Sequence, residues 1–443
     1  MKNFISFFLV VLLGTTSLLY SQGTWTMQTI PVTTDINSIS AVDNNVCWAC
    51  GPAGTGGAAT ILRTTNGGTN WLIARGDIPN NTNLYNLFAI DANNCWVGAD
   101  DGSVYKTTNG GVNWIFVSMP SPQTAFIDAI HFFTPQIGFI MGDPAGGSWC
   151  YYWTTNGGIN WTFGPAPTAT GTEAGWNNSY CALDTGHIWW GTNNSKIYRG
   201  GFRSNFVGAT TPTAYSFGVS FFNVNTGLAI MVNSSAVPQP TLKTTDGGQT
   251  WTATSFTPSN VPYGLKAIPG TQFAWICTGG TQTAAGGIYR TTNGGTSWTQ
   301  QSTSLPAGKS FYCISMVSVN KGWAGTGTAV TGGTNGGIFV YNDNINYVNE
   351  HEGNIPNEFI LEQNYPNPFN PTTSIKFSIP KTAFVTLKIY DVLGNEVINV
   401  VENNLSAGEY VKTVDFSKLS SGIYYYTLKA GDFTSTRKMM FVK

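Results

Sequence analysis

Arg63-Thr64-Thr65-Asn66-Gly67-Gly68-Thr69-Asn70-Trp71 decides the fold, because it returns along the chain. Lys106 to Trp114 reads KTTNGGVNW and Trp153 to Trp161 reads WTTNGGINW. Lys243 to Trp251 reads KTTDGGQTW and Arg290 to Trp298 reads RTTNGGTSW. Self-similarity at a fixed spacing must be settled before any local reading. The closing tryptophans stand 43, 47, 90 and 47 residues apart. The long gap is two periods, and a degenerate copy, Ile197-Tyr198-Arg199-Gly200-Gly201 to Phe206, fills it. Each copy describes a strand ending in Arg or Lys, a reversal at Asn-Gly-Gly and a strand opened by Trp. Asn and Gly accept the positive φ of a tight hairpin turn. Trp is an apolar body large enough to wedge between neighbouring sheets.

Two more strand-like runs precede each turn, such as Leu84 to Ala89 and Cys95 to Gly98, or Tyr263 to Ile268 and Phe273 to Cys277. Four short strands per repeat of roughly 40–50 residues make one propeller blade. The last repeat, Phe311 to Tyr341, lacks its Trp strand, while Gly23-Thr24-Trp25-Thr26-Met27-Gln28 closely matches Gly295 to Gln300. The N-terminal strand is therefore expected to complete the last blade. Trp25, Trp71, Trp114, Trp161, Phe206, Trp251 and Trp298 then mark seven blades over 23–342. The T-x-N/D-G-G-x-x-W pattern resembles the BNR or Asp-box repeat, and the blade pattern resembles photosystem II assembly and stability factors and their bacterial relatives. Only Asp246 keeps the acid of that box; Asn66, Asn109, Asn156 and Asn293 replace it. Either side chain can accept backbone hydrogen bonds in the turn.

The chain has 443 residues, of which only 10% are charged, with a net charge of −1. Between Gly23 and Asn342 there are 11 basic and 11 acidic side chains. That balance gives no reach for phosphate backbones or anionic lipid, so nucleic acid is not an expected partner. Residues 1–22 read as a secretory signal peptide: Lys2, an apolar run from Phe4 to Leu13, then small and polar residues to Gln22. That run is too short for a membrane span, and no later stretch is long enough, so no transmembrane segment is expected. Cys47 and Cys50 have the C-x-x-C spacing of a redox pair. They lie in a strand-like run, which favours buried small apolar side chains over a thiolate at a helix N-terminus.

Residues 343–358 are polar and patternless, and read as a linker. Beyond it, 359–443 carries alternating runs at Ser374 to Ile379, Val385 to Tyr390, Tyr410 to Phe416, Ile423 to Lys429 and Arg437 to Val442, separated by Gly-bearing turns. This spacing predicts a small Ig-like β-sandwich, so the whole chain is all-β. Pro366-Asn367-Pro368-Phe369-Asn370-Pro371, Tyr390 to Val397 around Gly394, and Leu419 to Tyr424 with Gly422 follow in order. Together they resemble the type A C-terminal sorting domain of the type IX secretion system. The resemblance implies a translocon as partner and export through the periplasm to the medium or the outer surface of a Gram-negative cell.

Catalytic groups are sparse. The chain has three His, and no metal-ligand spacing, G-x-S-x-G or phosphate loop occurs, so no metal or cofactor is expected. Glycoside hydrolysis, the enzyme alternative, needs two facing carboxylates. Glu173 is the one Glu between Gly23 and Asn342, and Asp77, Asp100, Asp101 and Asp143 lie in loops expected on the face opposite the Asn-Gly-Gly turns. Trp149, near Tyr151 and Tyr152, and Trp176 offer rings that either stack on a sugar or protein ligand or fill the junction of the third and fourth blades. The candidate ligand-binding set is thus Asp100, Asp101, Asp143, Trp149, Glu173 and Trp176, with no catalytic residue assigned. The expected role is a non-catalytic binding or scaffold protein for a protein or glycan, with a sialidase- or xyloglucanase-like hydrolase as the alternative.

Overall fold

A computed structural model describes residues 23–442 apart from 216, 233–239, 257–259, 302, 329–335, 344–357, 381–382 and 406–407. The expected signal peptide and nearly all of the expected linker, His351 included, lie outside the described residues. The chain divides into two compact units, Met1–Ile345 and Asn346–Lys443.

In the first unit the described residues form seven four-stranded antiparallel sheets. The first is Ser38–Ala41, Cys47–Gly51, Thr60–Thr64 and Leu72–Ile73, paired in sequence order. The innermost strands of the next five are Leu84–Ala89, Ile127–Phe132, Tyr180–Asp184, Gly218–Phe221 and Pro262–Ala267. The seventh sheet holds Lys309–Ser318, Lys321–Thr328 and Gly337–Asn342 and takes its fourth strand from Thr24–Gln28. Trp25 pairs with Tyr341 and Gln28 with Ile338, the closure expected from the sequence.

Serine hydroxyls stitch several of these inner strands to their neighbours. Ser40 Oγ accepts from Ala89 N at 3.2 Å, Ser220 Oγ from Ala267 N at 2.9 Å, and Ser315 Oγ from Ala41 N at 3.1 Å. The last bond links the seventh sheet to the first and completes a ring. Asn86 Nδ2 to Asp128 O and Tyr180 OH to Ile130 O join the second, third and fourth sheets. A buried hydroxyl satisfies an amide that a strand at the ring's centre would otherwise leave without a partner.

The repeat turns are built alike. Thr64 Oγ1 donates to Asn66 Oδ1 at 3.0 Å and accepts from Gly68 N at 2.9 Å, while Asn66 Oδ1 accepts from Asn70 N at 2.9 Å. The Thr107, Thr154, Thr244 and Thr291 copies repeat these bonds. Positive φ falls on the two glycines, 71° and 89° at Gly67 and Gly68, and not on the asparagine. The Asn is thus a hydrogen-bond acceptor rather than a left-handed residue, and Asp246 does the same work. The second glycine also lies against the preceding sheet: a Cβ at Gly158 would sit 2.2 Å from the Trp96 ring.

Trp25, Trp71, Trp114 and Trp251 are 3–6% exposed; Trp161 and Trp298 are partly buried. Trp114 meets Trp48 of the preceding sheet edge-on at 6.2 Å and 87°, and Trp161 meets Trp96 at 5.7 Å and 84°. Phe206 packs on Trp190 at 4.3 Å in the degenerate fourth sheet. Cys47 and Cys50 belong to different apolar clusters, on opposite faces of their strand. All seven cysteines are free, and burial pushes these two thiols well up, away from a redox role.

The second unit is a sandwich of a three-stranded and a four-stranded antiparallel sheet. Ile375, Phe377, Leu387, Ile389, Tyr426 and Phe441 are buried between them. Glu396–Leu405, a strand the sequence reading did not mark out, lies at the edge of the larger sheet. The opening motif fastens the end of the chain: Asn367 Oδ1 accepts from Met440 N at 2.8 Å, and Thr373 Oγ1 donates to Pro366 O at 2.7 Å. Pro368 leads into Phe369, which stacks on Phe441 at 5.3 Å. Gly394, at φ 85°, sits in a turn whose amides bond to Asp391 Oδ1. After Gly422, Tyr424 OH donates back to Ser420 O at 2.8 Å.

Candidate binding face and central channel

Each inner strand runs from the face carrying the inter-sheet loops toward the face of the Asn-Gly-Gly turns. The latter dock on the turn that follows the inner strand, as Gly67 N does on Asn45 O at 2.9 Å. The sequence-derived candidates therefore share the loop-rich face, but they do not form one cluster of free groups.

Glu173 is not available to a ligand. Its side chain is fully buried, and all four of its bonds are internal. Oε1 accepts from Lys196 Nζ and Thr170 Oγ1, both at 2.7 Å; Oε2 accepts from Trp149 Nε1 at 3.0 Å and Tyr198 OH at 2.9 Å. Burial alone would raise its pKa, but these bonds outweigh it and hold the carboxyl down to about 2. Trp149 is likewise corrected: it is fully buried among Tyr151, Trp190, Tyr198 and Phe206, so it fills the third-to-fourth junction.

The other candidates remain at the surface or near it. Asp100 accepts from Asn83 Nδ2 at 3.0 Å, and Asp101 accepts from Ser103 N at 2.9 Å and is exposed. Asp143 is half-buried and accepts from Gly175 N at 2.7 Å; burial raises its pKa. Trp176 is 39% exposed and packs on Phe217 at 5.6 Å. Tyr85 with Phe126, and Tyr263 with Tyr312, make further aromatic pairs at 5.2 and 5.4 Å at the loop-side ends of their strands.

The feature that sequence reasoning missed is the segment after Trp176, which crosses the ring. Asn178 Oδ1 accepts from Ser38 Oγ at 2.9 Å and Asn86 Nδ2 at 2.8 Å, and its backbone N–H donates to Asp128 O at 2.8 Å. Asn177 Nδ2 reaches Asn37 O at 3.2 Å. A loop of the fourth sheet thus fastens on the first, second and third. Asn178 has a φ of 62°, which Asn tolerates better than most residues. Asp128 lies beneath it, 1% exposed, with neither carboxylate oxygen hydrogen-bonded among the described residues. Burial, with the Asp143 charge adding to it, pushes its pKa well up.

Below this strap lies a central cavity of about 230 Å³. All seven inner strands line it. No Asp or Glu is among the lining residues, and Lys266 is the cation present. Among the described residues no group of three His, Cys, Asp or Glu is placed to hold a metal. No helix among them is long and apolar enough to cross a membrane.

Comparison with known proteins agrees with both units. Residues 363–443 match the family described as the secretion system C-terminal sorting domain. None of the curated proteins matches the chain in sequence. Among solved structures the chain is similar to YCF48 from Cyanidioschyzon merolae, at 16% identity and a TM-score of 0.54, covering 73% of this chain and 100% of that one. It is similar to YCF48 bound to D1 peptide, at 15% identity and a TM-score of 0.53, covering 75% and 98%. It is also similar to the WD40 β-propeller domain of Doa1, at 9% identity and a TM-score of 0.50, covering 72% and 97%. At these identities the likeness is one of fold. The chain joins a β-propeller to a type IX secretion sorting domain, which marks it for secretion or the outer cell surface.

Proposed function

We propose that this is a non-catalytic binding protein, led through the periplasm of a Gram-negative cell by its signal peptide and then exported by its sorting domain. Its ligand, a protein segment or a glycan, rests on the loop-rich face around Trp176, bordered by Asp100, Asp101 and Asp143. The observation that carries this reading is the contrast between Glu173 and Trp176. The propeller's one Glu has every lone-pair direction occupied by internal donors and is out of solvent. Trp176 stands exposed at the start of a segment pinned across the ring, a rigid aromatic platform that loses little entropy on binding. One solved neighbour is a peptide complex, so extended peptides are the first ligand class to try, with oligosaccharides second.

Glycoside hydrolysis is the second reading, and Asp143 favours it, because a half-buried carboxyl with a raised pKa suits a general acid. Both readings are decided by one experiment. The full chain is screened on peptide and glycan arrays and assayed on common polysaccharides, beside Trp176→Ala and Asp143→Asn. Binding that falls at least tenfold in Trp176→Ala, without turnover, is the expected result. Turnover that vanishes in Asp143→Asn would replace the binding reading with the hydrolase.

A further inference from the structure

The central cavity holds a positive charge with nothing to answer it. The side chain of Lys266, on the inner strand of the sixth sheet, makes no ion pair or hydrogen bond among the described residues, and no acidic side chain lines the space around it. Its position within the channel follows from its reach. Its charge acts on His131 of the third sheet, whose pKa burial and Lys266 together lower to about 3. It also acts on Cys181 of the fourth, where it opposes the rise that burial causes. His131 is therefore neutral at ordinary pH and cannot compensate or duplicate the lysine.

The hydroxyls along the channel serve the ring itself. Ser40, Ser220 and Ser315 accept inter-sheet amide bonds, and Tyr180 OH donates to Ile130 O. The walls are of mixed polarity, with Phe88 and Leu265 supplying apolar surface. Asn177 and Asn178 cross the loop-rich end, and the lining continues to Leu183, Pro269 and Met316 toward the Asn-Gly-Gly face. A cleft lined by charge of one sign focuses its field and draws in ions of the opposite sign.

We infer that the channel beneath the Trp176–Asn178 strap is a second binding site, which takes a carboxylate with a small apolar body entering from the Asn-Gly-Gly side and pairing with Lys266. At about 230 Å³ the cavity accepts a single ring or a few aliphatic carbons. The same carboxylate chemistry is carried by a free organic acid and by the C-terminus of a peptide.

Calorimetric titration of the full chain tests this with benzoate and with benzyl alcohol, its uncharged analogue. Benzoate should bind at least tenfold more tightly than benzyl alcohol. Lys266→Gln should lose that preference, and Lys266→Arg should keep it. A short peptide with a free C-terminus, run against its C-terminal amide, shows which source the site accepts: a tenfold preference for the free form adds peptide ends to free acids. Benzoate and the array ligands of the loop-rich face are separate probes, so failure here is separable from failure of the loop-face reading. No benzoate binding, equal binding of acid and alcohol, or undiminished binding by Lys266→Gln would overturn the inference.

Discussion

His131 shows how far a residue's surroundings can move it from what its type suggests. In sequence it is one of three histidines in a chain poor in catalytic groups. In the structure its ring lies among Phe88, Phe133, Phe139 and Tyr180, and its pKa falls from 6.5 to about 3. The unfolded chain then binds a proton that the folded chain refuses between those two values. Stability therefore rises with pH across that window and is lost as pH falls from about 6.5 toward 3. His131→Phe should flatten this part of the stability curve, as followed by denaturant midpoints at pH 4 and 7. An unchanged pH slope in the variant would refute the assignment. Trp114 offers a second test at this scale. It is 6% exposed, donates Nε1 to Ala74 O at 2.9 Å and meets Trp48 edge-on. Trp114→Ala should cost ~3–5 kcal/mol, as other large core truncations do; a loss under ~1 kcal/mol would contradict the wedge. The role of Trp114 was legible because its spacing repeats. For Trp149 the sequence left two roles open, of which junction filling is the one seen, and the role of Glu173 was hidden, since its partners Lys196 and Tyr198 come from a neighbouring sheet that no local pattern announces.

At the scale of elements, the closing strand was legible from the likeness of Gly23–Gln28 to Gly295–Gln300, each opening Gly-Thr, carrying Trp-Thr and ending in Gln, because the same strand must satisfy the same neighbours. What holds it was not legible. Gly23 N donates to Asp343 Oδ2 at 3.0 Å, and the same oxygen accepts from Tyr341 OH at 2.8 Å and pairs with Arg290 at 3.1 Å. Asp343 therefore belongs with the propeller, one residue inside what the sequence marks as linker. Arg290 and Asp343 are both nearly solvent-free, at 6% and 1% side-chain exposure. Asp343→Ala leaves a buried guanidinium without its carboxylate and should cost ~3–5 kcal/mol. Chemical denaturation would show it, and a variant as stable as the parent would mean that the ring is closed by strand pairing alone. The strap at Asn177 and Asn178 was hidden for a similar reason: its bonds to Asn37 and Ser38 span 140 residues. The edge strand Glu396–Leu405 was missed because its Glu and Asn residues obscure the alternation on which strand recognition rests.

At the scale of the whole molecule, two units with separate apolar cores stand on either side of residues 344–357. The division was visible in the sequence as a fall in patterning followed by a rise in charge, because a linker needs neither apolar periodicity nor a core. The ligand was not visible, since it depends on which loop groups stay exposed after packing, and Glu173 and Trp149 do not. The propeller closes on itself through its own N-terminal strand, and the sorting domain gives the protein its destination. The direct test is fractionation of host cells expressing either the full chain or residues 1–345, with thermal unfolding of each purified protein. The shortened chain should keep the propeller's unfolding temperature and accumulate in the periplasm, while the full chain reaches the cell surface or the medium. A shortened chain that fails to fold, or that leaves the cell as efficiently as the full one, would contradict it.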